Sequence, residues 1–244
     1  MKTQKDKPKI SLIIVAYNEE KYIGDCLDYA IKNSQGKLHE IIVVDNVCTD
    51  NTKAEALKRP NVRVVREERK GMVRARQKGY MEAEGDILAY IDADTRMPEG
   101  WVHRVEKEFE KNTKLASISG PYRYHDGTLL QKIILNIIWW IFAPIAYRIA
   151  GYALLGGNFA IKKEVLDKMN GFDTNIEFYG EDTDIARRAS KFGEVAFKID
   201  FYIYSSSRRF GSEGLLKTNI KYAMNFISEV LIKRPVNKEY KDIR

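Results

Sequence analysis

The sequence predicts an α/β fold built on a parallel sheet with helices on both faces, and three observations carry that expectation. Short apolar runs alternate with amphipathic stretches through the first half, as in βαβ units. The runs are continuously apolar rather than alternating, which fits strands buried on both faces. A chain of 244 residues with 44% hydrophobic content is large enough to bury one substantial core.

In chain order, SLIIVAY (11–17) is the first predicted strand, followed by Tyr22, Ile23, Cys26, Leu27, Ala30 and Ile31 at helical spacing. EIIVVD (40–45) is the second, and TDNTKAEALK (49–58) reads as a short helix capped by Thr49 or Asp50. VRVVRE (62–67) is a third strand, GMVRARQKGYMEA (71–83) a helix, and DILAYID (86–92) a fourth strand. Pro98 marks a helix start, and Trp101, Val102, Val105 and Phe109 give that helix one apolar face. The second half is less regular, with apolar segments at LASISG (115–120), GGNFAIKK (156–163) and VAFKID (195–200). No linker separates the halves, so one domain over 1–244 is expected. It divides into a first half (10–100), a substrate-binding second half (101–211) and a C-terminal amphipathic helix and tail (212–244).

The net charge of +7 favours anionic partners. Cys26 and Cys48 are too few for a disulfide framework or a zinc site, so a reducing cytosol is expected. The N-terminal charges lead into NEEK rather than a cleavage site, and no secretory signal is expected. The run IILNIIWWIFAPIAY (133–147) carries no charge, yet it is shorter than the ~18–20 apolar residues that span a bilayer, and Pro144 interrupts it. Trp139 and Trp140, flanked by Lys132 and Arg148, fit an interfacial pattern. Leu216, Ile220, Ala223, Ile227 and Val230 form the apolar stripe of an amphipathic helix, a pattern commoner in core-packed helices than in membrane-bound ones. Peripheral contact with an anionic inner leaflet, on an otherwise cytoplasmic protein, is therefore expected.

In parallel sheets ligands bind outside the carboxyl ends of the strands. Those ends read Tyr17-Asn18-Glu19, then Asp45, then Asp92 and Asp94. Two carboxylates two residues apart in an extended chain point the same way and oppose each other's ionisation unless a cation joins them. A hard ion such as Mg²⁺ or Mn²⁺, shared with a nucleotide diphosphate, would do so. Solvated turn or capping acids are the plainer reading of that pair alone.

The chain resembles the family 2 inverting glycosyltransferases of GT-A fold from Ile10 to about Gly211. The resemblance rests on SLIIVAYNEEKYIGDCLDYA, EIIVVDNVCTDNT, GMVRARQKGYMEAEGDILAYIDADT, GGNFAIKKEVLDKMNGFD and FYGEDTDIARRASKFG, in that order. It implies a Rossmann-like, mixed but mostly parallel sheet, a nucleotide-diphosphate-sugar donor, a hydroxyl or lipid-phosphate acceptor in glycan or glycolipid synthesis, and Mn²⁺ or Mg²⁺. By the same resemblance Tyr17, Glu19 and Asp45 belong to the base pocket, Asp92 to the ribose or metal-bound diphosphate, and Asp94 to the metal. Asp182 is the implied general base, and Gly157, Asn158 and Glu181 line the acceptor side. Glu181 and Asp182 open a helix, whose N-terminus favours the ionised base.

Arg74 and Arg76 share a helix near the crevice, where a nucleotide's charge needs partners, a solvated helix face being the alternative; Arg208 and Arg209 could close over the diphosphate or stand in a solvated loop. His39, His103 and His125 fall away from any third metal position and read as surface or structural residues. Asn46-Val47-Cys48 depart from the family's small polar residues. The QxxRW motif is absent, SSSRRFGSEG standing in that region, which argues against processive synthesis. No Gly-rich phosphate loop follows the first strand and no GxGxxG follows any, which disfavours a sugar-phosphate nucleotidyltransferase and a dehydrogenase. A basic membrane- or nucleic-acid-binding module would leave Asp45, Asp92, Asp94 and Asp182 without a common purpose; nucleic acid is not an expected partner.

Overall fold

Four predicted strands of the first half form one side of a central sheet, β1 (Ile10–Ala16), β2 (Glu40–Asn46), β3 (Val62–Glu67) and β4 (Ile87–Asp92). The computed structural model describes residues 7–129, 131–135, 137, 147–148, 151–176, 180–208, 224 and 228. Helices α1 (Ile23–Ser34), α2 (Thr52–Leu57) and α3 (Met72–Glu82) connect these strands, which run parallel with β1 between β2 and β4. After a two-residue strand β5 (Thr95–Arg96) come α4 (Trp101–Lys111), β6 (Leu115–Ser119) and β7 (Tyr122–Tyr124). The second half adds β8 (Asn158–Lys162), α5 (Lys163–Lys168), α6 (Glu181–Ala189), β9 (Glu194–Phe197) and β10 (Ile203–Ser205).

The main sheet has seven strands in the order β3-β2-β1-β4-β8-β6-β9, and β5-β10-β7 make a small second sheet. β8 runs antiparallel to both β4 and β6, so the sheet is mixed rather than wholly parallel. The strand order reverses between β2 and β4 on either side of β1, which opens a crevice beyond the carboxyl ends of β1 and β4. α2 begins at Thr52 with Asn51 at its N-cap, not at Thr49 or Asp50; Asp50 instead accepts the Thr52 N–H at 3.0 Å.

Successive residues of β1 bury on opposite faces, which explains the unbroken apolar runs. Ile10, Leu12 and Ile14 pack with Ile23, Leu27, Trp101, Val105 and Phe109 of α1 and α4. Ile13 packs on the other face with Val73, Val165, Leu166, Ile185 and Ala189 of α3, α5 and α6. β3, at the sheet edge, is only partly buried.

Among the described residues no helix is long and apolar enough to cross a membrane. In the run 133–147 Leu135 is buried, whereas Ile133, Ile134 and Ile137 are exposed. Trp139 and Trp140, Arg209 and all five residues of the C-terminal stripe lie outside the described residues.

Candidate active site

The carboxyl edge of the sheet gathers the predicted acids, and each has acquired a cationic or hydrogen-bonding partner. Glu19, just beyond β1, is buried, and its N–H donates to Thr52 Oγ1 at 2.7 Å. Arg208 grips its carboxylate with two donors, at 2.6 and 2.8 Å, the bidentate geometry in which arginine is strongest. The same guanidinium reaches Asp94 through Nε at 2.9 Å and lies 4.5 Å from the centre of the Tyr22 ring. Burial would lower the Arg208 pKa, but hydrogen bonding to Glu19 and the charge of Asp94 outweigh it and keep the side chain cationic.

Asp92 takes different partners. β4 ends at Asp92 and the chain turns through Ala93 and Asp94, so the two acids are not on one extended strand as the spacing suggested. Asp92 lies 3.8 Å from Arg76 Nη2 and accepts a long bond from the Tyr122 hydroxyl at 3.4 Å. That hydroxyl in turn accepts the Gly157 N–H at 2.9 Å. The approach is close enough that any Cβ on Gly157 would collide with the Asp92 carboxylate. On Gly156 a Cβ would lie 2.6 Å from both Arg76 Nη2 and Glu181 Oε1. The paired glycines of GGNFAIKK thus leave room for charged side chains.

Arg76, buried on α3, contacts Glu181 at the start of α6, while Gly180 supplies the left-handed N-cap (φ 84°). Burial pushes the Glu181 carboxyl up to about 7, against the opposing pull of Arg76. Asp182 is half-buried, accepts the Thr183 N–H at 2.8 Å, and is also raised: burial outweighs Arg76 and the backbone donor. The helix start therefore does not produce the lowered value expected from the sequence. A carboxylate with a raised pKa is a stronger base near neutrality.

Tyr17 and Asp45, expected from the resemblance to border a base, are also placed at this edge. Tyr17 accepts a bond from Lys70 at 2.8 Å, with the ammonium 4.1 Å from the ring centre. Asp45 is buried, with the Cys48 N–H at 2.8 Å on one oxygen and Arg66 at 3.0 Å on the other. Cys48, half-buried, has its thiol pushed up to about 11 by burial, and burial raises Cys26 as well, so both are unreactive thiols.

Two expectations change. Asn158 is fully buried: its amide accepts from Trp101 Nε1 at 3.0 Å and donates to the carbonyls of Gly120 (3.0 Å) and Phe201 (2.8 Å). It is a core bracket and not an acceptor ligand. Asn158→Ala is expected to cost roughly 2–4 kcal/mol of stability, because three buried groups lose a partner. Urea denaturation reads this, and a loss below about 1 kcal/mol would refute the assignment. Arg74 packs over Gly71, while Arg76 alone of that pair reaches the acids.

Sequence reasoning missed Tyr122 and the position of His125. His125 joins Lys21, Tyr22, Asp25, Asp94, Thr95 and Arg96 around a cavity of about 270 Å³, with its pKa lowered by burial and Arg96. Among the described residues no group of three His, Cys, Asp or Glu could hold a metal alone. Asp92 and Asp94 still supply hard oxygen donors, suited to an ion that completes its sphere with diphosphate and water.

A family model described as glycosyl transferase family 2 matches residues 11–170. The chain belongs to that family. A second model, described as the N-terminal domain of galactosyltransferase, matches residues 139–204. The family member is 28% identical over 213 residues to a probable glycosyltransferase, YdaM, of Bacillus subtilis, covering 78% of this chain and 48% of that one. It is 30% identical over 170 residues to a dolichol-phosphate mannosyltransferase of Pyrococcus furiosus, covering 67% and 45%. It thus spans about half the length of both relatives. The fold is similar to that of a Pyrobaculum calidifontis mannosyltransferase solved with GDP-mannose and Mn²⁺, with TM-score 0.73, 20% identity and coverage of 94% and 64%.

Proposed function

We propose that this family 2 glycosyltransferase moves a sugar, with inversion, from a nucleotide-diphosphate donor to a hydroxyl or lipid-phosphate acceptor. One observation carries the reading: Asp92 at the end of β4 and Glu181, the neighbour of Asp182 at the start of α6, meet on one guanidinium, Arg76. Asp94 and Asp92 would hold Mn²⁺ or Mg²⁺, and the bound ion would supply Lewis-acid stabilisation of the departing diphosphate. Tyr17, Glu19 and Asp45 would border the base, and Arg208 would turn from Glu19 to the phosphates. The acceptor oxygen bonds to the anomeric carbon as the carbon–oxygen bond to the diphosphate breaks on the opposite face. Asp182 takes the acceptor's proton.

The name of the Pyrococcus relative, a dolichol-phosphate mannosyltransferase, favours a lipid phosphate as one acceptor class. Exposed Leu129, Ile133 and Ile137, with a net charge of +7, favour contact with an anionic bilayer. A thermal-shift screen of UDP-, GDP- and dTDP-sugars with and without Mn²⁺ tests the donor reading, and cosedimentation with anionic vesicles at low salt tests the membrane reading. Metal-dependent stabilisation by one donor is expected. No response to any of them, or no vesicle binding, would overturn the corresponding part.

A further inference from the structure

Arg76 does not behave as a nucleotide-binding cation. Its side chain is 3% exposed and is shared between Glu181, 8% exposed, and Asp92, 36% exposed. The backbone beneath it is fixed as well, since its carbonyl accepts the Tyr90 hydroxyl at 3.3 Å and Tyr90 stacks on Phe159 with ring centres 4.8 Å apart. Gly156 lies against the pair: a Cβ there would stand 2.6 Å from Arg76 Nη2 and Glu181 Oε1, so any side chain would push the pair aside. A buried ion pair of this kind is weak evidence for stability, because apolar residues of the same volume often do as well or better. What it supplies is a defined position.

We propose that Arg76 is a positioning residue: by clamping Glu181 it fixes the first turn of α6, and so Asp182, against the donor carboxylate Asp92. This rests on the reading of Asp182 as general base. The geometry explains why Glu181, next to the base, is buried and faces a cation while Asp182 stays half-buried. It also links the two sides of the reaction, since one guanidinium touches the end of β4 and the start of α6. Burial alone would lower the Arg76 pKa, yet the Glu181 and Asp92 charges raise it, so the clamp stays charged at any working pH.

Arg76→Met leaves Glu181 buried without its cation, so the test uses Arg76→Lys and the double variant Arg76→Met/Glu181→Gln, which removes both charges. Measured are kcat, donor KM, and the stabilisation produced by UDP, GDP and dTDP with Mn²⁺. In the double variant kcat is expected to fall by about 100-fold, within the usual span for a misplaced general base. Donor KM and nucleotide stabilisation should stay near wild type, and Arg76→Lys should recover much of the lost kcat. A donor KM that rises with kcat preserved would make Arg76 a donor ligand and overturn the inference alone. So would wild-type kinetics in the double variant. A wild type that no nucleotide stabilises would instead bring down the glycosyl-transfer reading, and the inference with it.

Discussion

Asp182→Asn is expected to lower kcat for a hydroxyl acceptor by about 10³-fold while leaving nucleotide-induced stabilisation intact. The amide is nearly isosteric and can still accept the Thr183 N–H through its carbonyl oxygen, so the fold of α6 should survive. What disappears is a basic site that burial has moved upward from the ordinary carboxylate range. The sign of the pH dependence follows. The base works only when ionised, so wild-type kcat should rise as pH climbs through the raised Asp182 pKa, and the rise should lie above the range of an exposed aspartate. Glu181 beside it is pushed up to about 7 by burial and, in part, by the charge of Asp182, so the acid limb belongs to the pair rather than to one residue. A pH–rate profile on a hydroxyl acceptor, repeated on a phosphate-bearing one, separates the cases. A phosphate nucleophile is already ionised and needs no base. Substantial activity of Asp182→Asn toward hydroxyl acceptors would therefore sink the assignment, whereas activity confined to the phosphate acceptor would identify the acceptor class.

The first half of the fold is legible because its strands are buried on both faces and its helices on one, which leaves two clean periodicities. β1 to β4 and α3 lie within one residue of the predicted segments and α1 covers its predicted apolar face, whereas α4 starts at Trp101, three residues beyond Pro98, with Gly100 as its N-cap. The direction of β8 is not legible: an apolar run such as NFAIK looks the same whether its neighbours run with it or against it. The small sheet is hidden for another reason. β5, β7 and β10 have two or three residues each, too few for any pattern to repeat, and mix Arg and Tyr with apolar positions.

At the site, the acids were legible from strand ends and family order, but their partners were not. Arg74 and Arg76 are two residues apart, about 200° around a helix, so only one of them could face the sheet. Arg76 stands three residues from the buried Val73 and four from Tyr80, which was the available signal. Arg208 reaches Glu19 across 189 residues, a pairing that no local pattern contains.

Asp94→Asn is expected to lower kcat/KM by about 10³-fold and to remove the Mn²⁺ dependence of nucleotide binding. The size follows from the loss of a charged ligand where negative charge develops on the leaving diphosphate. Arg208 sharpens the experiment. Its guanidinium now neutralises Asp94 and Glu19 together, so a divalent ion at Asp94 competes with a bound cation. Mn²⁺ alone should then bind the wild type weakly, and a diphosphate that attracts Arg208 should strengthen it. Arg208→Gln takes one positive charge from the site. It should weaken transfer, yet bind Mn²⁺ more tightly than the wild type in the absence of nucleotide, as titration calorimetry would read. A charge-neutralising Asp94→Asn moves that affinity the other way. If both variants weaken Mn²⁺ binding to the nucleotide-free protein, Arg208 is not competing with the ion, and its contacts with Glu19 and Asp94 serve the loop rather than the metal.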